Sequence, residues 1–198
     1  RRLAIAAQLK RVVFLDRDGV INRDSPDYIK NWDEFQFLPG SLDALCLLSQ
    51  AGFRLIVITN QSIIGRGMVP LRVLEETHRK LKAAVSATGG DILDIFYCPH
   101  RPDEACDCRK PAPGLIQQAC RRYGIDPVDS VMIGDSVKDM LCGCNAGCGT
   151  TILVRTGNGL RAEKELAELH IRPDMVAADL LDAARYLLGR AGSPDDRR

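Results

Sequence analysis

The sequence predicts an α/β protein: a Rossmann-like parallel sheet with helices on both faces. Three observations predict it. Short, nearly continuous apolar runs rich in β-branched residues alternate with longer amphipathic stretches, the alternation of βα units. The runs lack the in-out pattern of a half-exposed sheet, which suits strands covered on both faces. Each run also stops at a polar or glycine-rich turn.

In chain order the elements justify themselves. RVVFLD (11 to 16) reads as a strand and SLDALCLLSQ (41 to 50) as an amphipathic helix, with Gly52 placed for a left-handed C-cap. FRLIVIT (53 to 59) is the second strand, followed by the helical pattern LRVLEETHRKLKAAVSA (71 to 87). DIFYCP (94 to 99) then leads to the helix GLIQQACRRYG (114 to 124), closed by Gly124, and SVMIGD (130 to 135) to SVKDMLCGCNAG (136 to 147), closed by Gly147. TTILVR (150 to 155), the helix EKELAEL (163 to 169), the weak strand PDMVAA (173 to 178) and the helix LLDAARYLLG (180 to 189) complete the series.

The totals fit one domain over residues 1–190, followed by a polar, breaker-rich tail (191–198) expected to be flexible. Of the 198 residues 45% are apolar, and the formal charge is +1. Balanced charge and 5% aromatic content argue against a nucleic-acid partner and against a zinc-bearing binding module for one. No apolar run reaches the length of a membrane span, and LAIAAQL near the N-terminus lacks the length and cleavage site of a signal peptide. The expectation is a cytoplasmic protein with no membrane partner, and a monomer, since nothing in the sequence demands a dimer.

In an open parallel sheet, ligands bind beyond the carboxyl ends of the strands. Those tips read DRDG, TNQS, a cysteine cluster and GDS. Asp16 and Asp18 flank Arg17 and leave the strand on the same side, an arrangement that implies a bound cation or a raised pKa, although DRDG alone is also an ordinary turn. Asp135, with Asp139 one helical turn on, could complete an oxygen-ligand site for Mg²⁺; Ser136 is equally placed to cap a helix. An ionised aspartate can act as a phosphoryl nucleophile, a second carboxylate can protonate the leaving group and then activate water, and Thr59, the Asn60 amide and Lys110 could hold phosphate oxygens.

CPHRPDEACDC (98 to 108) places Cys98, His100, Cys106 and Cys108 together. Their count and type match a closed tetrahedral zinc site, which leaves no position for substrate and so points to structure rather than catalysis. Arg109 and Lys110 follow at once, so a zinc-tied loop would act as a clamp for both cations. Cys46, Cys120, Cys142, Cys144 and Cys148 read as core residues, and His78 and His170 as surface or satisfied histidines.

FLDRDGVIN, VITNQS, CRKPAPG and VMIGDSVKDM resemble, in order, the four motifs of the haloacid dehalogenase superfamily, a resemblance covering residues 11 to 155. It implies that Asp16 is a nucleophile, Asp18 the general acid and base, and Thr59 and Lys110 the phosphoryl stabilisers. It further implies that Asp16, Asp135 and the Asp18 carbonyl hold Mg²⁺. About 40 residues separate Asp18 from Thr59 and about 50 separate Thr59 from Lys110, and the elements above fill both, so no cap domain is expected.

A capless member with CPH and CDCRKP is similar to the D-glycero-D-manno-heptose 1,7-bisphosphate 7-phosphatases and to the histidinol-phosphate phosphatases. TNQSIIGRG resembles the heptose family's TNQSGIxRG, with Ile63 in place of the usual Gly. The resemblance implies a small phosphorylated sugar as substrate in nucleotide-activated heptose biosynthesis. It places Asp24, Ser25 and Asp27 at the sugar, Asn60, Gln61, Ser62, Arg66 and Ser136 around the substrate, and Arg109 at a second phosphate. Histidinol phosphate, or a polynucleotide end, is the alternative substrate.

Overall fold

The computed structural model describes residues 11–191. The N-terminal LAIAAQL and all but the first residue of the tail therefore lie outside the described residues. Six strands, β1 (Val12–Leu15), β2 (Arg54–Asn60), β3 (Ile92–Cys98), β4 (Ser130–Gly134), β5 (Thr150–Val154) and β6 (Met175–Ala177), form one sheet in the order β3-β2-β1-β4-β5-β6. Every neighbouring pair is parallel. β1 and β4 are therefore adjacent at the centre, and the strand order reverses direction there, the place where an α/β sheet opens a crevice.

Among the described residues, five helices connect successive strands, α1 (Ser41–Gln50), α2 (Leu71–Ala87), α3 (Gly114–Tyr123), α4 (Val137–Ala146) and α5 (Gly159–Glu168), and a sixth, α6 (Leu180–Ala191), follows β6. They divide between the faces by the period-2 alternation of the strands. Val13, Leu15, Leu55, Val57 and Ile133 pack with Leu45 and Leu48 of α1, Leu81 of α2 and Ala184 of α6. Val12, Phe14, Ile56, Ile58 and Met132 face the other way, onto Leu115, Ile116 and Ala119 of α3. Leu153 meets Met140 of α4 and Ala162 and Leu166 of α5. Truncating a wholly buried strand residue such as Phe14 to Ala costs about 3–5 kcal/mol.

Between β1 and β2 the chain holds a short 3₁₀ turn (Trp32–Glu34) and α1, and between β2 and β3 only α2. Neither interval contains a further folded layer. Gly52, Gly124 and Gly147 all take positive φ. Most boundaries shift by one or two residues from the sequence reading, β3 starting at Ile92 rather than 94, and the largest shift is at α5, which starts at Gly159 rather than 163. The early start of α5 brings Ala162 onto the core while Leu160 faces solvent, a first turn that glycine and polar residues disguise.

Candidate active site

Asp16 follows β1 directly, Thr59 is the last residue but one of β2, Lys110 leads into α3 and Asp135 follows β4. One cleft of about 670 Å³ at the carboxyl ends of the strands gathers them. Of the residues expected to catalyse or to touch phosphate or substrate, Asp27 alone does not line it. Asn158 and Arg161 line it although no motif marked them.

Lys110 is the cation at the centre. Its Nζ stands 2.8 Å from Asp16 Oδ1 and 2.7 Å from Asp139 Oδ1, and donates to the Ile58 carbonyl at 2.9 Å. The side chain of Asn60 holds the backbone of Lys110 from both sides, accepting from its N at 3.0 Å and donating to its carbonyl at 3.2 Å. Asp139 is wholly buried, and its Oδ2 accepts from the amides of Asp135 and Ser136 and from Ser136 Oγ at 2.7 Å. Ser136 thus forms a capping box at the start of α4, its capping role rather than a free hydroxyl. With both oxygens committed, Asp139 serves to fix Lys110, and Asp16 and Asp135 remain the carboxylates with capacity for a metal.

Three carboxylates, of Asp16, Asp135 and Asp139, bring one oxygen each within 4.8 Å of the others, against a single ammonium. Burial and then Asp139 push Asp135 up to about 7, and burial with the same neighbour raises Asp16 despite Lys110. Lys110 is raised too: burial alone would lower it, but Asp139 and Asp16 outweigh that, so it stays charged. A surplus of buried negative charge is what a hard dication neutralises, and Mg²⁺ fits this donor set. Gly19 and Gly157, with φ of 86° and 57°, pack their Cα atoms against the Asp135 carboxylate, where any Cβ would collide with it. That explains the glycine of DRDG.

Asp18 sits in a different field. Its Oδ1 accepts from Arg17 Nε at 3.2 Å, Arg17 Nη2 at 2.9 Å and Asn22 Nδ2 at 2.9 Å, while Oδ2 accepts from Gln61 Nε2 alone at 2.9 Å. Burial works upward on its pKa, but the Arg17 charge and these donors outweigh it and hold Asp18 below the ordinary value. Gln61 also contacts Thr59 Oγ1 at 2.9 Å, so its amide ties two site residues together rather than reaching outward. Arg17 is 1% exposed, a buried guanidinium where the sequence suggested only a motif position. Of the two readings of His78, surface or satisfied, the second holds: it is buried on α2, with Nε2 3.2 Å from Arg17 Nη1.

Ser62 is buried, Arg66 is exposed with its guanidinium over the ring of Tyr28 at 5.8 Å, and Asp24 accepts from Asn158 Nδ2 at 3.2 Å. Ile63, standing where the resembled family has Gly, is 1% exposed and is not among the positive-φ residues, so the turn needs no glycine there.

Beside the cleft, Cys98, His100, Cys106 and Cys108 place one ligand atom each within 4.8 Å of the rest. Their separations are 3.2 Å (Cys98 to Cys108), 3.3 Å (His100 Nδ1 to Cys108), 3.5 Å (Cys98 to His100 Nδ1) and 3.8 Å (Cys98 to Cys106). Ligands about 2.3 Å from one zinc on a tetrahedron stand about 3.7 Å apart, so the four residues fit that metal. Burial pushes the Cys98 and Cys108 thiols up, the direction a bound dication reverses. Arg109 Nη1 donates to the His100 carbonyl at 3.1 Å, tying the cation to this loop. Of the remaining cysteines Cys142 is buried in the core and Cys120 and Cys148 pack against it, whereas Cys144 is exposed, contrary to a core role.

Residues 107–183 match the HAD-hydrolase-like family model. The chain is 47% identical over 152 residues to the D-glycero-beta-D-manno-heptose-1,7-bisphosphate 7-phosphatase of Pseudomonas aeruginosa, covering 77% of this chain and 85% of that protein. It is 41% identical over 182 residues to the protein of the same name from Bordetella bronchiseptica, covering 91% and 99%. In three dimensions it is similar to D,D-heptose 1,7-bisphosphate phosphatase from B. bronchiseptica complexed with magnesium and phosphate, with a TM-score of 0.85 at 40% identity, covering 91% of this chain and 99% of that one.

Proposed function

This chain belongs to the D-glycero-β-D-manno-heptose-1,7-bisphosphate 7-phosphatases of the haloacid-dehalogenase-like hydrolases, and on that premise we propose that it removes the 7-phosphate of the heptose bisphosphate through a phosphoryl group carried on Asp16. The observation that carries the reading is the pair Asp16 and Asp18 at one strand tip, held in opposite fields within one cleft. Asp16 is the nucleophile: Lys110 and the Arg17 amide hold its Oδ1, and no described residue donates to its Oδ2. Asp16 attacks phosphorus as the bond to the sugar oxygen breaks, and Asp18 gives its proton to that oxygen. Water then attacks the aspartyl phosphate, Asp18 takes the proton back, and Asp16 leaves as the free carboxylate. The depressed pKa of Asp18 keeps it a base toward water, while the arriving phosphate dianion, a like charge, acts in the opposite direction when an acid is needed. Thr59 and Lys110 stabilise the equatorial oxygens.

Asp16, Asp135 and the Asp18 carbonyl would hold Mg²⁺, which supplies positive charge that offsets the repulsion between carboxylate and phosphate. Cys98, His100, Cys106 and Cys108 would hold Zn²⁺ as a structural tie that limits the movement of Arg109 and Lys110. Arg109 and Arg66, both on the cleft wall, are our candidates for the second phosphate, which a fork of donors suits. The working setting is a cytoplasmic monomer acting on a small phosphorylated sugar destined for nucleotide-activated heptose, with neither nucleic acid nor membrane as partner. No described helix is long and apolar enough to cross a membrane.

Phosphate release from both anomers of heptose 1,7-bisphosphate, from fructose 1,6-bisphosphate, from histidinol phosphate and from a 5′-phosphorylated oligonucleotide tests the assignment. A heptose bisphosphate should give the highest kcat/KM. Faster turnover of histidinol phosphate or of the oligonucleotide would overturn it.

A further inference from the structure

The mechanism above uses Asp18 but assigns nothing to the buried pair behind it, Arg17 and His78. Both lie where an ionisable group needs a reason, at 1% and 7% exposure. A guanidinium can only donate, so in the 3.2 Å contact His78 Nε2 must accept from Arg17 Nη1, which leaves the ring proton on Nδ1. Burial, and then the Arg17 charge, hold the His78 pKa down to about 3, so the ring is neutral and able to accept throughout the working range. The ring leans on Tyr97 at 5.6 Å, and Arg17 lies over Phe35 at 5.8 Å, which leaves the guanidinium little freedom to turn.

The consequence falls on Asp18. An oxygen of a carboxylate has two lone pairs, and Oδ1 already meets three donors, two of them from Arg17. Oδ2 meets one. The side of Asp18 that can exchange a proton is therefore chosen by the side that Arg17 occupies, and the orientation of Arg17 is in turn fixed by His78.

We propose that His78 is a positioning residue: through Arg17 it locks Asp18 Oδ1, so that Oδ2 faces the cleft and transfers the proton to the leaving oxygen. The inference rests on the phosphatase reading, but on no particular sugar. The bond changes are those given above: Asp18 Oδ2–H breaks as the leaving-group O–H forms, and the same oxygen regains a proton from water in the second half-reaction. Arg17 and His78 exchange no proton.

A group that acts by aiming a general acid affects substrates according to how much they need that acid. p-Nitrophenyl phosphate releases an anion stable without a proton, whereas phenyl phosphate releases a poorer one. kcat/KM on these esters reports the step up to phosphoryl transfer onto Asp16. His78→Phe keeps a ring against Tyr97 and deletes the acceptor; His78→Gln keeps an acceptor at the position of Nε2. His78→Phe should lose about tenfold more kcat/KM on phenyl phosphate than on p-nitrophenyl phosphate, a fraction of the 10²–10⁴-fold that a general acid contributes. His78→Gln should restore most of the difference. Equal losses on both esters, or none, would overturn the proposal, since a purely structural role lowers both alike. If circular dichroism shows His78→Phe unfolded, His78→Leu makes the same comparison. A wild-type protein that hydrolyses the aryl esters but no heptose bisphosphate would sink the substrate reading while leaving the His78 result to stand on its own.

Discussion

Two clusters of metal-ligating side chains stand side by side in this molecule, and they differ in what they leave open. The carboxylates of Asp16, Asp135 and Asp139 share a wide cleft with a buried lysine, and their charge is not balanced by protein alone. The thiols and imidazole at and after the end of β3 close on themselves, with four ligands at tetrahedral spacing and no residue of the cluster on the cleft wall. Surplus charge beside open space is the arrangement for chemistry. A completed ligand set is the arrangement for holding a loop still.

If this contrast is right, damage to the open cluster should be far more costly to turnover than damage to the closed one. Asp16→Asn should remove activity by on the order of 10⁴-fold or more in steady-state phosphate release, with the fold intact by circular dichroism. Lys110→Met strands the buried Asp135 and Asp139 and the partly buried Asp16 without their cation, and urea unfolding in metal-free buffer should show about 3–5 kcal/mol of lost stability. Stripping the Cys98 cluster with a chelator selective for zinc, at saturating Mg²⁺, should lower kcat by on the order of a hundredfold through misplacement of Lys110. Unchanged turnover there would remove the clamp role.

The smallest effect concerns pH. Burial and Asp139 raise Asp135 in the metal-free protein from 3.8 to about 7, so the folded state binds that proton more tightly than the unfolded chain. Its contribution to stability is complete below about pH 4 and lost as pH rises through 7. Mg²⁺ needs the ionised form, so MgCl₂ should raise Tm more at pH 8 than at pH 5. An equal or reversed shift would mean that Asp135 is not a ligand.

The strand tips, the four acidic and basic motifs and the zinc-type cluster were legible in the sequence because each is short and local. Where reading failed, the missing information was tertiary. His78 lies on the same helical stripe as Leu74, Leu81 and Val85, a periodicity that marks it as buried, but nothing local says that Arg17 will meet it sixty-one residues away. Asp139, at the right helical offset for a metal ligand, does stand with Asp16 and Asp135, but nothing local says that Lys110 will meet it too. Gln61 and Asn60, expected to meet substrate, do line the cleft, and their side chains also brace Asp18, Thr59 and Lys110. A polar residue at a strand tip can be committed to its neighbours as well as to a ligand, and sequence spacing alone does not separate the two uses.

The most direct test of the open cluster is to trap the phosphoryl group in transit. Acid quenching during turnover of ³²P-labelled substrate should yield a base-labile phosphoprotein whose label maps to the peptide containing Asp16, and Asp16→Asn should yield none. Label on any other residue, or phosphate release at full rate with no labelled protein at any quench time, would contradict a mechanism that runs through Asp16.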